Sequence, residues 1–533
     1  IVNTTIMKKV KMIILAALSV SALTGIQAQT LYDASRLLDN DLNGTARFVG
    51  MGGAMGALGG DISTMGTNPA GIGIYRSNDA MISFGFKSLN TESKLGSSKN
   101  ETDKFRGSFD NLGFVFSNKI GNRTALKYVN FGFNYHKAKS FDKDMVMGGN
   151  YNVSQTQQIA GLVNANSAYY GEYLSPEVLL DKNAFNFGDV PWLGALAYES
   201  NLIVPGQNQK YNPYLLNGHS VDGYYRSRER GQIAAYDFNV ALNWYDRIYL
   251  GATLTAYSVD YSKSSIYQET FLSNNQDDGN YALRNYYDLD GSGVDFKLGL
   301  IVRPFEQSPL RIGLAVHTPT FYNLEERNSS YLDYDTYNET EGKFLKGTTY
   351  TQNQYGDEME GSTKYKLTTP WKYNFSLGYT IGQSVALGAE YEYSDYSTSK
   401  LEYDDGVNMD YENSTIKQSL KGVSTVRLGA EIKLSPEFSS RIGYNHISAP
   451  IKTTAFKELS VNAIRTDTEF SNSKSRDNYT IGFGYRGSSF YADLAYQYST
   501  YKEDFYAFDN VDLPATKITN SNSQVLMTLG VRF

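Results

Sequence analysis

The feature that most restricts how this chain can fold is a recurring stretch in which every second residue is apolar. At 371–381, Trp371, Tyr373, Phe375, Leu377, Tyr379 and Ile381 alternate with Lys372, Asn374, Ser376, Gly378 and Thr380. The same rhythm runs through 426–434, 478–486 and 524–533, where it ends on Phe533. Successive side chains of a strand point to opposite faces, so each stretch predicts a strand with one apolar face. About fourteen such segments can be placed. They lie near 79–89, 108–119, 126–139, 233–245, 247–261, 293–304, 309–320, 371–381, 384–396, 423–434, 437–447, 477–487, 489–501 and 523–533. Alternation alone suits two folds, a soluble sandwich with the apolar face on a core and a membrane barrel with that face on lipid. The connections separate them. Short turns at Gly121-Asn122, Tyr245-Asp246-Arg247, Glu306-Gln307-Ser308, Gly382-Gln383, Ser435-Pro436 and Gly487-Ser488 alternate with long links at 90–107, 140–232, 262–292, 321–370, 397–422, 448–476 and 502–522. Short turns on one side and long loops on the other predict an all-β fold, a transmembrane antiparallel β-barrel with periplasmic turns and external loops.

Composition agrees once the barrel is considered. The mean hydropathy of −0.42 reads as soluble, but a barrel strand needs only alternate apolar residues. The 44 Tyr and 48 Gly against 12 Pro fit such strands. Trp244, Trp371, Tyr393 and Tyr498 stand at the ends of apolar faces, where amphipathic rings favour a membrane interface. From Met7, the expected start, Lys8, Lys9 and Lys11 precede an apolar run from Met12 to Val20, and small residues lead to Ala28. This predicts a secretory leader over 1–28. Its removal takes the formal charge from −7 to −10, which argues against a nucleic-acid partner. The absence of Cys excludes disulfides, thiolate metal sites and a Cys nucleophile.

Residues 29–78 are then left over, too polar and Gly-rich for lipid and placed before the first strand. They are expected to plug the lumen of the barrel formed by 79–533. The stretch GMGGAMGALGGDISTMGTNPAG, 50–71, invites a phosphate-loop reading that fails in detail. No Lys follows its glycines, and Met55 stands where a dinucleotide fingerprint needs Gly. Gly permits close backbone approach, Pro69 fixes φ, and Asn68 before it is pushed extended.

The order of leader, Gly/Ala-rich segment, Asn68-Pro69-Ala70-Gly71 and first strand resembles the FadL/TodX family of outer-membrane transporters for long-chain fatty acids and other hydrophobic compounds. HTPTFY (317–322), TPWKYNFSLGY (369–379), YEYSDYS (391–397), RLGAEIKLSPEFSSRIGYN (427–445) and DNYTIGFGYRGSSFYADLAYQYS (477–499) extend the resemblance from about residue 45 onward. It implies a fourteen-stranded barrel with an N-terminal hatch, whose Asn-Pro-Ala element falls on Asn68, Pro69 and Ala70.

Several side chains are candidates for the site. By alternation Arg427, Lys433 and Arg441 point into the lumen and suit an acyl carboxylate. His136 and His317 also face inward, which keeps a haem receptor open as the alternative to transport, beside a surface barrel that transports nothing. The 140–232 loop carries apolar clusters, Trp192, Leu193, Leu196, Leu202 and Ile203 among them. They predict either a small core among the loops or an external groove that captures an amphiphile. DLDGSGVD (288–295) spells part of a calcium loop but has Gly299 where a bidentate Glu is required, so an Asp-Gly turn is expected. No G-x-S-x-G occurs, and neither an enzyme nor a cofactor or metal is expected. The expected partners are hydrophobic small molecules, outer-membrane lipids and, through Phe533, the barrel-assembly machinery. The expected place is the bacterial outer membrane.

Overall fold

The computed structural model describes residues 29–215, 219–273, 276–338 and 340–533. The leader expected over 1–28 lies outside them. Among the described residues, fourteen strands pair antiparallel, each with its predecessor. They are β1 (Asp79–Leu95), β2 (Ser98–Lys119), β3 (Leu126–Ser140), β4 (Ser220–Trp244), β5 (Ile248–Ser273), β6 (Gln276–Val302), β7 (Arg311–His317), β8 (Lys372–Ile381), β9 (Val385–Asp395), β10 (Gly422–Lys433), β11 (Phe438–Ile447), β12 (Phe470–Arg486), β13 (Phe490–Tyr506) and β14 (Thr516–Arg532). The ring closes between β14 and β1, in register from Asp79↔Arg532 to Lys94↔Lys517. The last residue is zipped to the chain just before β1, the Asn78 amide donating to the Phe533 carbonyl at 3.1 Å.

The wall is the inverse of a soluble protein. Along β8 and the residue before it, Trp371, Tyr373, Phe375, Leu377, Tyr379 and Ile381 are 39–53% exposed, while the inward Asn374 and Ser376 are 4% and 1% exposed. An apolar girdle of that extent is tolerable only against lipid. The short turns collect at one end of the barrel, as their alternation requires.

At the other end the strands run on. β4, β5 and β6 have 25, 26 and 27 residues, against the ~9–11 that cross a bilayer. Three of the expected loops are therefore largely strand. The 90–107 stretch is a hairpin turning on Gly96 (φ +57°), with Leu95 opposite Ser98. The 262–292 and 502–522 stretches extend β5, β6, β13 and β14. Beyond the membrane the outer face meets water, so the apolar alternation that reveals a strand is lost. Segment 288–295 lies within β6, Asp290 facing Asp260 of β5, so it is neither a calcium loop nor a turn. Three further strands, Phe321–Asn338, Lys343–Tyr350 and Gly361–Thr368, continue the sheet beyond β7 and β8.

The long link between β3 and β4 folds over this end. Helices Gln155–Tyr170 and Trp192–Glu199 pack on one core with Tyr225, Phe271, Tyr281 and Phe508. Trp192, Leu193, Leu196, Leu202 and Ile203 are at most 3% exposed in that core. The capture groove expected from these five side chains is thus filled by their mutual packing. They hold the cap together and present no open apolar surface.

Candidate functional site

The site grows out of a ring of small residues inside the barrel. Gly113, Gly132, Gly251, Gly299, Gly313, Gly378, Gly388, Gly429, Gly443 and Gly482 all face inward, and a Cβ added at any of them would meet another part of the chain. For most, that part is the segment 50–70. Gly482 abuts Gly50, Gly443 abuts Gly52, Gly429 abuts Met51, Gly388 abuts Ala54 and Gly378 abuts Ala57 and Leu58. The segment therefore travels backward round the wall from β12 to β8, its backbone lying directly on the strands. Such contact requires Gly on one or both sides. Within the segment, Gly52 (φ +61°) and Gly53 (φ +79°) supply a left-handed bend that any Cβ would disfavour.

Asn68-Pro69-Ala70 ends this circuit on β5, β6 and β7. Asn68 is fully buried and extended, as a residue before proline must be, and Pro69 starts the 3-10 helix Pro69–Ile74. The Asn68 amide works in both directions. Its Oδ1 accepts from the Ala70 amide at 3.2 Å, and its Nδ2 donates to the Leu300 carbonyl of β6 at 3.3 Å. On either side, His317 Nε2 donates to the Thr67 carbonyl at 2.8 Å and Asn239 Nδ2 to the Pro69 carbonyl at 3.3 Å. A Cβ at Gly251 would stand 2.3 Å from the Pro69 carbonyl carbon, and one at Gly299 would stand 2.1 Å from Asn68 Oδ1.

Charge pins the same segment. Arg47 grips Glu431 of β10 with two nitrogens, at 2.9 and 3.2 Å. Arg441 of β11 holds that carboxylate from the other side at 2.6 Å while also bonding Asp493 at 2.6 Å. Arg427 pairs with Glu390 and Glu392, and Glu390 accepts the Gly56 amide at 3.0 Å. So Arg427 and Arg441 face inward, and each is committed to a carboxylate that holds the plug. Lys433 differs. It sits exposed at the turn end of β10, where the strand stops and the inward face opens to solvent.

Two polar cavities that share Asp39, Asp41, Tyr396 and Ile447 in their linings adjoin the plug. The larger, about 280 Å³, is bordered by the start of the plug, several wall strands and the link 448–469. The smaller, about 100 Å³, is bordered by Asp39, Asp41, Gly66, Thr67, His136 and His317. Both histidines are engaged, His136 near Asp237 at 3.2 Å and His317 on Thr67. The space between them, about 100 Å³, is small beside the ~300–1,000 Å³ of a ligand pocket. The larger cavity mixes ion pairs with apolar lining. Lys143 pairs with Glu503, Lys263 with Glu469 and Lys457 with Asp467. Burial pushes the Asp39 carboxyl up, but Lys139 and Arg476 beside it outweigh that and hold it below the usual range. Above it, Arg465 bridges Asp33 of the plug, Glu326 and Asp467, and stacks 4.1 Å over the Tyr287 ring. Burial raises the Asp467 carboxyl while Arg465 and Lys457 pull it well below the ordinary value. This link between plug and loops joins residues as far apart as Asp33 and Arg465, and no local feature of the sequence marks it.

No protein-family model matches the chain, and no curated protein matches it in sequence. Solved structures do. A FadL homologue from Pseudomonas aeruginosa is similar with a TM-score of 0.50 and 12% identity, over 93% of this chain and 100% of that one. The toluene transporter TodX of Pseudomonas putida gives 0.47 and 11% over 93% and 100%. The monoaromatic hydrocarbon channel CymD gives 0.46 and 11% over 93% and 99%. At these identities the likeness is one of fold, and the FadL homologue carries it: this chain has the same closed-barrel architecture.

Proposed function

We propose that this chain is an outer-membrane transport protein of the FadL/TodX type, which takes up hydrophobic small molecules by diffusion through a plugged barrel. The observation that carries the reading is the seating of residues 50–70 on the inward glycines. A barrel of this size is wide enough to leak unless filled, and this one is filled by its own N-terminal segment. The names of the similar solved structures, a FadL homologue and two hydrocarbon or toluene channels, support the hydrophobic class.

Within that class the larger cavity favours a long-chain fatty acid over a neutral hydrocarbon. Leu89, Phe141, Met145, Val423, Ile447 and Ile451 offer an alkyl chain cover beside several cations. At about 280 Å³ the cavity lies just below the ~300–1,000 Å³ range of ligand pockets. The test is equilibrium binding to the detergent-purified protein of oleate, toluene and haemin. Saturable oleate binding is expected. Tight haemin binding with a Soret shift lost in His136→Ala or His317→Ala, and no oleate binding, would replace this reading with a haem receptor.

A further inference from the structure

The short turns gather the strand ends into a rim on the periplasmic side, and at that rim the inward position of six strands carries a cation. Arg247, Arg303, Arg311, Lys433, Arg486 and Arg532 stand at the ends of β5, β6, β7, β10, β12 and β14. Each is two residues from a position that faces the lumen, in the same order Tyr249, Ile301, Gly313, Glu431, Gly484 and Gly530, so strand parity turns it toward the mouth. The lipid-facing positions beside them are apolar and exposed, as at Ile432, Tyr485 and Val531. Acids are scarce at this height, and most are taken. Asp79 is held by Arg532 at 3.4 Å, Asp246 by Arg76 at 2.8 Å and Glu306 by Arg247 at 3.5 Å, while Glu437 accepts from Ser435 on the turn after β10 at 3.2 Å. Among the described residues, Arg303, Lys433 and Arg486 have no carboxylate partner. Arg303 donates to the Ser308 and Glu306 carbonyls at 3.0 and 2.9 Å, Arg486 lies 5.5 Å from the centre of the Tyr491 ring, and Lys433 is exposed. The chain as a whole is acidic, with a formal charge of −7, so this gathering of unmatched cations runs against its composition.

We propose that the periplasmic rim is a docking surface for a soluble protein with an acidic face. The size of the ring selects a macromolecule over a small anion. Neighbouring strands lie ~4.8 Å apart, so a closed ring of fourteen tilted strands is on the order of 25–30 Å across. β6 and β12 are nearly opposite each other in that ring, so no single phosphate or carboxylate reaches both Arg303 and Arg486. Parity selects a protein in the periplasm over the membrane. An anionic lipid head group lies outside the wall, where it meets Ile432, Tyr485 and Val531, whereas the cations face the mouth. Cations on such a rim steer an acidic partner and fix its orientation, adding more to association rate and specificity than to affinity. The surface does not depend on what the barrel conducts. For a conducting barrel, the partner sits where a hydrophobic cargo leaves the lumen for water.

The test uses the full chain in phosphatidylcholine nanodiscs and, as the probe, fluorescent poly-glutamate, with poly-glutamine as the neutral control. Saturable binding of poly-glutamate alone is expected, weakened about tenfold or more between about 50 and 300 mM salt because the contacts are exposed. The triple variant Arg303→Gln/Lys433→Gln/Arg486→Gln, checked as a folded barrel by heat-modifiable gel mobility, should bind about tenfold more weakly at low salt. Lys94, Lys99 and Lys517 supply a matched control. They sit side by side across β1, β2 and β14 at the opposite end, but Lys99 has Glu92 at 2.9 Å and Lys517 has Asp504 at 2.8 Å. Changing these three to Gln should leave the affinity for the probe within about twofold. No binding to the wild type, an equal loss in both triple variants, or a loss only in the Lys94 set overturns the proposal. So does mass spectrometry that finds an anionic phospholipid retained by the wild type and lost from the rim variant, which assigns the rim to lipid. None of these outcomes bears on oleate binding, so the transport reading is judged separately.

Discussion

Adding one methyl group at Gly251 or Gly443 should open the barrel without unfolding it. A Cβ at Gly251 would lie 2.3 Å from the Pro69 carbonyl carbon and 2.4 Å from the Ala70 nitrogen. One at Gly443 would lie 2.1 Å from the Gly52 nitrogen. Carbon contacts settle at about 3.5–4.0 Å, so each overlap exceeds an ångström and involves backbone, which cannot rotate away. Either the wall or the plug must yield. The wall is a closed ladder in which Gly251 and Gly443 are paired on both sides. The Asn-Pro-Ala seat hangs on three side-chain hydrogen bonds, from Asn68, His317 and Asn239. Those are worth about 0.5–1.5 kcal/mol each, about 1.5–4.5 kcal/mol together, the same order as the about 1–3 kcal/mol of one overpacked methyl, whereas each wall glycine is held by ladder bonds to two strands. The plug is the weaker party. The two sites touch different parts of it, so their effects should add, to about 2–6 kcal/mol. In liposome swelling with small sugars, Gly251→Ala alone should give a partial rise. The Gly251→Ala/Gly443→Ala pair should approach the permeability of a chain lacking 45–70. Gly161→Ala, on a helix of the cap with nothing within 4 Å, serves as the neutral control. A doubly substituted barrel that keeps its heat-modifiable mobility and remains as tight as wild type would refute the claim that these contacts hold the plug.

The remaining predictions address other joints of the same structure. Deleting 45–70 should raise swelling by small polar solutes while the barrel still forms, and Pro69→Gly should give a smaller rise in the same direction, because it widens the states open to the seat. Arg47→Ala leaves Glu431 to Arg441 alone and should loosen the plug by up to about 3 kcal/mol, the low end for a buried pair, read as faster proteolysis within 29–78 on an intact barrel. Trp192→Ala should destabilise the cap by about 3–5 kcal/mol, seen as a separate early thermal transition with barrel mobility unchanged. Glu412, on the helix Asp410–Ser419, has a buried Oε2 without a hydrogen-bond partner, and burial raises its carboxyl to about 7. The neutral form is the one that fits, so its stabilising contribution is full below the ordinary Glu value of about 4.3 and is lost as pH rises through about 7. The protection of amides over 410–419, corrected for the intrinsic pH dependence of exchange, should fall across that window in wild type and stay flat in Glu412→Gln.

How much of this was legible in the sequence follows from where each constraint lives. The bilayer acts on one strand at a time and demands an apolar residue at every second position, so Trp371 to Ile381 announce themselves without any partner. Where the strands leave lipid that demand ends, and 90–107 looks like a loop although Thr102 and Thr91 sit in register. The inward direction of Arg427 and Arg441 is likewise local, a matter of parity. Parity also turns Lys433 inward, but it carries no information about strand length, and at 433 the strand is over. The clustering of Trp192 with Leu193 and Leu196 was visible, whereas its closure against Phe271 and Phe508 depends on segments far along the chain.

The glycine ring shows the boundary most sharply. Gly378, Gly388, Gly429 and Gly443 each appear in the sequence as one more small residue on a polar face. Their meaning depends on register: Gly378 lies opposite Gly388, Gly388 opposite Gly429 and Gly429 opposite Gly443, so four strands present bare backbone at one height. Only then does the run of glycines at 50–60 acquire a surface to lie on. The same reasoning separates the two halves of the plug. From Gly50 to Leu58 the fit is largely backbone laid on bare strand backbone. From Leu37 to Thr45 it is mixed: Leu37 and Leu38 are buried among apolar wall residues, the Asp41 amide donates to the Ala138 carbonyl at 2.8 Å, Asn43 bonds Asp110 at 3.0 Å, and Asp39 and Asp41 pair with Lys139 and Arg476.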